Sequence, residues 1–375
     1  MVLDGVALVD HHCHGVVNVA LDRERFELLA TEADQPAPTG CTGFDTQVGF
    51  AIRRWCAPVL GLEPHTSPED YLAQRSALGA AEVNRRLLGA AGIGAFLVDT
   101  GYSPDDLLSP AGMAEVAGAT AREVVRLEAV AERVAQDGVT ADGFASAYTN
   151  ALDLAASDAV GLKSIIAYRH GLDFDPEPPS AREVSFAAGR WLRRVESAQS
   201  PRLDDPVLLR HVLWAGVDRG LPVQFHVGFG DPDLDLDRCD PTRMTGFLRA
   251  VQRRDVAIML LHCYPFHRQA GYLSQVFPHV YLDVGLAVNY VGARAAAVIA
   301  ESLELAPFHK ILFSSDAFGL SELYYLGALL FRRAFDEVVG GWVATGLWSA
   351  PDAQRVARMV AAGNAERVYG LHFPH

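Results

Sequence analysis

The sequence predicts an α/β fold and, within that class, a TIM-type (β/α)₈ barrel. Short apolar runs alternate along the chain with longer segments of helical pattern. The runs are continuously apolar, as in parallel strands that are covered on both faces. Eight run-and-helix units follow one another over most of the 375 residues. This number favours a closed barrel, with a doubly wound open sheet as the alternative.

The eight predicted strands are short and separated by long intervals. They are Ala7–His14, Ala95–Thr100, Val124–Ala129, Val160–Tyr168, Pro222–Val227, Ala257–His262, Val280–Val284 and Lys310–Ser315. The third is the least distinct, because Arg122–Gln136 also has the pattern of a single helix. The predicted helices are Pro68–Leu88, Thr140–Ala155, Ser180–Ala198, Asp204–Arg219, Pro241–Arg253, Phe266–Phe277 and Gly292–Leu303.

We predict a single domain for residues 1–375, with two regions that a minimal barrel does not contain. Residues 15–91 form a connection far longer than the usual two to six residues of a βα loop. On a barrel this partly helical insertion would lie above the C-terminal mouth, either as a lid or as a peripheral subdomain or oligomer contact. Residues 321–375 are expected to supply extra closing helices, Ser321–Val339 and Asp352–Tyr369.

The composition argues against nucleic acid and membranes as binding partners. The formal net charge is −14, and no run of basic residues suits nucleic acid or an anionic membrane. The first residues lack the pattern of a secretory signal, and no apolar stretch is long enough to span a bilayer. Five cysteines without CxxC spacing suggest free thiols in a reducing compartment. We therefore expect a cytoplasmic protein with a small-molecule substrate, and a homo-oligomer stays open.

The first predicted strand ends in a histidine-rich motif, Val9-Asp10-His11-His12-Cys13-His14. Because side chains alternate along a strand, His12 and His14 are expected on one face, and His11 and Cys13 on the other. Two imidazoles on an inward face can bind one metal ion, and His is the usual ligand of zinc and its neighbours. Most such triplets bind no metal, so this motif alone is weak evidence.

Other polar side chains occupy the ends of later predicted strands. His226 ends the fifth strand, His262 ends the sixth, and Asp316 follows the eighth. A single histidine in such a place is usually structural, but several strand ends meet at one mouth of a barrel, where such folds carry their active sites. Lys163 lies within the apolar fourth strand, where it is either ion-paired with a carboxylate or part of the site.

These residues resemble the amidohydrolase superfamily, in particular its branch of single-domain metal-dependent hydrolases and decarboxylases. The matching motifs are Asp10-x-His12-x-His14, His226, His262, Ile311–Asp316 and Gly363–Tyr369. Together they span the chain from Asp10 to Tyr369. The run Leu162–Arg169 is also similar to amidohydrolase-like domains that occur fused to a glutamine synthetase-like domain, for which this chain is too short.

The resemblance implies that His12, His14, His226 and Asp316 bind a divalent metal, with zinc expected and manganese as an alternative. It implies that His262 is an acid/base group or a ligand of a second metal. Lys163 stands where binuclear members have a carbamylated lysine that bridges two metals. One ion is favoured, because the branch that the chain resembles commonly works with one.

The expected reaction is hydrolysis of a C–N bond in a small amide, such as a γ-glutamyl amide or a related carboxylate-bearing compound. Asp316, His262 and Lys163 are the expected catalytic groups, since metal-activated water needs a proton acceptor and the oxyanion needs stabilisation. Arg169 either binds a substrate carboxylate or forms a surface ion pair. The alternatives are a metal-dependent decarboxylase or hydratase, and an inactive binding protein that retains the ligands.

Overall fold

The computed structural model describes residues 2–102, 104, 106–198 and 200–371. In this part of the chain, seven parallel strands form one sheet in sequential order. The strands are β1 (Leu8–Cys13), β2 (Ile93–Asp99), β3 (Thr120–Arg126), β4 (Gly161–Ser164), β5 (Val223–Val227), β6 (Ile258–His262) and β7 (Val280–Leu282). Since each strand pairs in parallel with the next one along the chain, the carboxyl ends of all seven point the same way.

The eighth predicted strand, Lys310–Ser315, is not a strand of the ladder. Its segment nevertheless lies between β7 and β1. Leu312 N donates to Leu282 O of β7 at 3.0 Å, and His11 N of β1 donates to Phe313 O at 3.1 Å. The segment therefore closes the curled sheet through scattered hydrogen bonds instead of a regular ladder. The predicted α/β barrel is confirmed, with this correction to its eighth member.

Two other strand predictions need corrected bounds. The third was placed at Val124–Ala129, but β3 begins at Thr120 and the chain enters the helix Leu127–Gln136 directly after it. The fourth was extended to Tyr168, but β4 ends at Ser164 and the short helix Ile166–Arg169 follows. In both places an apolar run continues from strand into helix, so hydrophobicity alone does not mark the boundary.

Helices flank the sheet along the barrel. They are Pro110–Ala117, Leu127–Gln136, Phe144–Ala155, Ile166–Arg169, Ala181–Ala198, Pro206–Val217, Thr245–Val251, His267–Val276, Gly285–Val291 and Ala295–Ser302. Short 3₁₀ turns occur at Leu236–Cys239, Pro241–Met244, Gly292–Arg294 and Phe308–Lys310. The closing region comprises Ser321–Ala344, Ala350–Arg358, the π-helical turn Met359–Gly363 and Asn364–Tyr369.

An apolar cluster fills the barrel interior below the carboxyl ends of the strands. Its members come from several strands and from the C-terminal helix, namely Val9, Ala95, Leu97, Val124, Met259, Leu261, Leu312, Ala365, Tyr369 and Leu371. A separate and larger cluster packs the outer sheet face against the helices. The interior is thus a packed core at one end, and the polar groups are confined to the other end.

The insertion of residues 15–91 is helical and is bound firmly to the closing region. Its helices are Arg23–Leu29, Gln47–Ala51, the π-helical Ile52–Cys56, Ala57–Val59, Pro68–Leu78 and Ala80–Ala91. Arg75 Nε lies 2.8 Å from Glu322 Oε1, and both side chains are buried. The single helix predicted for Pro68–Leu88 is wrong, because Gly79, with φ +78°, separates two helices.

None of the helices among the described residues combines the length and apolar character that crossing a bilayer requires. The cytoplasmic location and any homo-oligomer stay predictions.

Candidate active site

The predicted site residues meet in one cavity at the carboxyl ends of the strands. The cavity has a volume of about 660 Å³, which is a usual size for a small-molecule site. Its lining includes every predicted site residue, namely His12, His14, Lys163, Arg169, His226, His262 and Asp316. Side chains as far apart in the sequence as His12 and Asp316 therefore face the same space.

Asp316 lies at the centre of this group. Its Oδ1 atom is 3.1 Å from His12 Nε2 and 3.5 Å from His14 Nε2, and its Oδ2 atom is 3.3 Å from His262 Nδ1. Burial alone would raise the pKa of Asp316, but the neighbouring His262, His12 and His14 outweigh it and hold the pKa well below the usual value. The carboxylate is therefore ionised at neutral pH.

The backbone at two of these residues, His262 and Asp316, has a positive φ angle. His262 has φ +68° and Asp316 has φ +48°, a region that residues other than glycine rarely adopt. Hydrogen bonds hold both positions, since His262 N donates to Asp283 Oδ1 and Asp316 N donates to His12 O. Such strain costs about 1–3 kcal/mol per residue and is concentrated at functional sites.

Lys163 extends from β4 into the same group. Its Nζ atom lies 3.4 Å from His12 Nε2. Burial lowers the pKa of Lys163 to about 8, despite the nearby carboxylates of Asp316 and Asp99. Lys163 lies beside the imidazoles and lacks a carboxylate within ion-pair distance among the described residues, which favours the interpretation as a site residue.

His226 is adjacent to the cluster without joining it at ligand distance. Its ring centroid lies 4.7 Å from that of His262 and 4.4 Å from that of Tyr168. Its Nε2 atom is buried without a hydrogen-bond partner in the described part of the chain. The close groups of potential ligands in the described residues are His12, His262 and Asp316, and His12, His14 and Asp99.

Asp99 is a site residue that the sequence interpretation missed. It ends β2, and its Oδ2 atom accepts from Arg126 Nη2 at 2.7 Å. Its backbone carbonyl lies 3.3 Å from His14 Nδ1. The position of Asp99 at a strand end, like that of His226 and His262, is the signal that could have identified it.

The predicted alternation of β1 fails at His11. Cys13 points away from the site, as expected, with its Sγ atom near Leu97 O. His11, however, contacts Tyr369, which also contacts Gln224, the partner of His12. The pairing register of β1 shifts between Asp10 and Cys13, so His11 and His12 do not lie on opposite faces.

Arg169 lines the cavity and is also ion-paired. Its Nη2 atom lies 3.2 Å from Glu132 Oε1, and its side chain is 12% exposed. Its Nε atom is buried and has no partner among the described residues. Arg126 and Arg202 line the same cavity, but each is held by an aspartate, Asp99 and Asp233 respectively.

The insertion contributes one wall of the cavity. Leu28, Leu29 and residues 31–34 all line it. Glu32 is hydrogen-bonded to Tyr290, and burial together with the charge of Asp316 raises the pKa of Glu32 to about 7. The loop after β5 contributes residues 231–233.

The sequence matches the model of a known protein family. The amidohydrolase family model matches residues 65–371, most of the chain. The chain belongs to the amidohydrolase family. His12 and His14 lie before the matched range. Their interpretation as metal ligands in this amidohydrolase therefore depends on the geometry described above. Family membership makes the protein an enzyme, and metal-dependent hydrolysis in general is the activity that the family supports.

Solved structures and a curated protein resemble this amidohydrolase to different extents. A protein from Lactobacillus casei ATCC 334 assigned as a metal-dependent hydrolase is 30% identical, with a TM-score of 0.86 over 98% of this chain and 96% of that one. The uronate isomerase of Bacillus halodurans C-125 shares the fold, with a TM-score of 0.67, 14% identity, and coverage of 99% and 95%. The protein fluG of Emericella nidulans is 32% identical over 226 residues, which is 57% of this chain and 26% of fluG.

The donor set of this amidohydrolase fits a divalent transition metal. Burial and the charge of Lys163 lower the pKa of His12 to about 3, and burial lowers that of His262 to about 4. Both imidazoles therefore offer lone pairs at neutral pH. His226 Nε2 and His262 Nδ1 are buried without hydrogen bonds in the described residues, so a cation would satisfy them. Imidazole and carboxylate ligands suit zinc and its neighbours.

Proposed function

We propose that the protein hydrolyses a C–N bond in a small, carboxylate-bearing amide, with a divalent metal held by His12, His14, His226 and Asp316. The observation that carries the proposal is the convergence of three imidazoles, those of His12, His14 and His262, on the Asp316 carboxylate, at 3.1, 3.5 and 3.3 Å. His226 lies beside them, with its ring centroid 4.7 Å from that of His262 and its Nε2 atom buried without a hydrogen-bond partner in the described residues. The ionised Asp316 carboxylate and the neutral imidazoles of His12 and His262 form a site that favours a cation. Zinc is the proposed ion, and manganese is the alternative.

A divalent ion bound there would supply Lewis acidity, which would make water nucleophilic at neutral pH and polarise the scissile carbonyl. Asp316 accepts the proton of the attacking water, because its carboxylate is ionised and faces the cavity. The same carboxyl then passes that proton to the leaving nitrogen. The C–N bond breaks as the amine departs, and the acid product retains the oxygen from water.

His262 and Lys163 surround the reacting carbonyl. The Lys163 ammonium can stabilise negative charge that develops on the oxygen, and neutral His262 can donate its one ring N–H to the same oxygen. Both side chains are buried, where such stabilisation is strong. Lys163 has a second option. With its pKa lowered to about 8, a fraction of its amine is neutral at physiological pH and could be carbamylated. We favour one metal, with Lys163 and His262 available for a second.

Arg169 is the proposed carboxylate-binding residue. Its planar guanidinium can form two parallel hydrogen bonds with a carboxylate, and its side chain lines the cavity. Glu132 lies 3.2 Å from Nη2 and so anchors one edge of the guanidinium. A γ-glutamyl amide would place its carboxylate on Arg169 and its amide bond at Asp316. The insertion, which lines the cavity with Leu28 and Leu29, is proposed to be a lid.

Metal content and metal dependence test the proposal. Protein purified without chelators should contain about one equivalent of zinc or manganese per chain by elemental analysis. Chelation should abolish amine release from a panel of γ-glutamyl amides, and addition of zinc or manganese should restore it. Full activity after complete removal of metal would contradict the proposal. Release of CO₂ instead of amine would assign the decarboxylase alternative.

A further inference from the structure

A buried amide lies directly behind the candidate metal site. Gln224 is fully buried in β5. Its Nε2 atom lies 2.8 Å from the backbone carbonyl of His11 and 2.8 Å from Tyr369 Oη. Its Oε1 atom lies 2.8 Å from His12 Nδ1. The amide therefore connects the first strand, the fifth strand and the C-terminal helix.

The carbonyl of His11 fixes the orientation of the Gln224 amide. A backbone carbonyl can only accept a hydrogen bond, so it must face the Nε2 hydrogens. If the amide were turned over, two carbonyl oxygens would meet at 2.8 Å without a hydrogen between them. Because Oε1 consequently faces His12 and can only accept, the His12 ring must carry its hydrogen at Nδ1.

The remaining partners of Gln224 agree with this arrangement. Tyr369 Oη accepts from Gln224 Nε2 and can donate its own hydrogen to His11 Nδ1, 3.0 Å away. His11 then carries its hydrogen at Nε2, which donates to Asp283 Oδ2 at 3.0 Å. One assignment of hydrogens satisfies every member of this buried network, as a fully connected network requires.

We propose that Gln224 is a positioning residue that locks His12 in its Nδ1–H tautomer, so that the lone pair on Nε2 faces the cation site before any cation binds. The functional part of this inference rests on the proposed metal site. His12 Nε2 lies 3.1 Å from Asp316 Oδ1. Lys163 Nζ lies 3.4 Å from the same nitrogen, so the lone pair faces either that ammonium or a bound metal ion.

His14 supplies an internal control. Its Nδ1 atom lies 3.3 Å from the backbone carbonyl of Asp99, which directs Nε2 toward Asp316 without help from Gln224. Substitution of Gln224 should therefore alter the tautomer of His12 and leave that of His14 unchanged. A purely structural role for Gln224 would lower stability without this selective change.

Nitrogen NMR on metal-free protein labelled with [¹⁵N]histidine tests the proposal directly. In the wild type, His12 should show a single tautomer with hydrogen at Nδ1. Gln224→Met keeps a similar shape without hydrogen bonds, and His12 should then populate both tautomers. Tyr369→Phe is the matched control, because the His11 carbonyl still orients the Gln224 amide. In that variant the tautomer of His12 should stay as in the wild type.

Metal affinity, measured by competition with a chelator, gives the second readout. Gln224→Met should weaken binding of zinc by about 10- to 100-fold, the usual effect of removing a group that orients a ligand. A wild-type His12 with hydrogen at Nε2 would overturn the proposal, and this measurement needs no variant to fold. An unchanged tautomer and affinity in Gln224→Met would also overturn it. If the wild type bound no metal, the proposed function would fail while the tautomer measurement still decided the role of Gln224.

Discussion

At the scale of single residues, Asp316 is held in place by its neighbours more than by its own segment. Its backbone has φ +48°, outside the usual range of an aspartate. Asp10 accepts from the backbone N–H and the hydroxyl of Ser315, and so joins β1 to the residue before Asp316. The site thus uses one buried aspartate to position another. This explains the presence of Asp10 beside the histidine motif.

The acid/base role of Asp316 leads to a first prediction at this scale. Asp316→Asn keeps the size of the side chain but cannot accept the proton of water. Turnover should fall by about 10²- to 10⁴-fold, the usual contribution of a positioned acid/base group. Steady-state amine release measures the effect, and circular dichroism checks the fold.

Asp34→Asn is the matched control for that variant. It removes an exposed carboxylate from the rim of the same cavity and should change turnover little. Retained turnover in Asp316→Asn would contradict the proton-transfer role.

At the scale of elements, the insertion depends on a break between two helices. Gly79 has φ +78° and ψ 156°, a conformation that is essentially restricted to glycine. The break allows Pro68–Leu78 to place Arg75 against Glu322 while Ala80–Ala91 packs its buried face separately. Breaking such a buried ion pair by removing one partner costs about 3–5 kcal/mol, so the position of these helices is well determined.

Two glycine substitutions test this break. A methyl group at Gly79 would meet no atom within 4 Å, so any effect of Gly79→Ala arises from the backbone alone. It should destabilise the protein by about 1–3 kcal/mol. Gly89→Ala is the matched control, since Gly89 lies inside the helix Ala80–Ala91 and also has open space around it. That variant should stabilise by about 0.5–1 kcal/mol.

Urea unfolding of both glycine variants measures these differences in the free energy of unfolding. If both substitutions changed the free energy of unfolding equally, alanine would be tolerated at the positive φ of Gly79 without strain, which would contradict the prediction.

At the scale of the whole molecule, the insertion lines one wall of the cavity and holds the partly buried Glu32 there. The pKa of Glu32 rises from 4.5 to about 7, by burial and by the charge of Asp316, with Asp231 adding to the effect and Tyr290 donating a hydrogen bond. A carboxyl with a higher pKa in the folded state binds its proton more tightly when folded. Stability is therefore lost as the pH rises from about 4.5 through about 7.

This linkage predicts a pH-dependent effect of Glu32→Gln. Glutamine cannot ionise, so the variant should exceed the metal-free wild type in stability at about pH 8 by on the order of 1–3 kcal/mol, and much less at about pH 4.5. Thermal unfolding at both pH values measures the difference. Glu24→Gln, at an exposed position of the same insertion, controls for general loss of a carboxylate. The same change at both pH values in Glu32→Gln would contradict the raised pKa.

The α/β barrel and seven of the residues that line the cavity could be predicted from the sequence alone. Apolar runs with a polar residue at the carboxyl end are local patterns, and in a parallel barrel these ends meet by construction. His12, His14, Lys163, His226, His262, Arg169 and Asp316 could therefore be identified without coordinates.

The interactions among these residues depend on the tertiary structure. The register shift in β1 moved His11 out of strict alternation, and the contacts of Asp99, Gln224 and Tyr369 join segments far apart in the chain. The segment Lys310–Ser315 forms an isolated bridge instead of a regular strand. The helix predicted for Pro68–Leu88 is divided into two helices at Gly79. Such features depend on contacts between distant elements, which a local pattern of hydrophobicity does not encode.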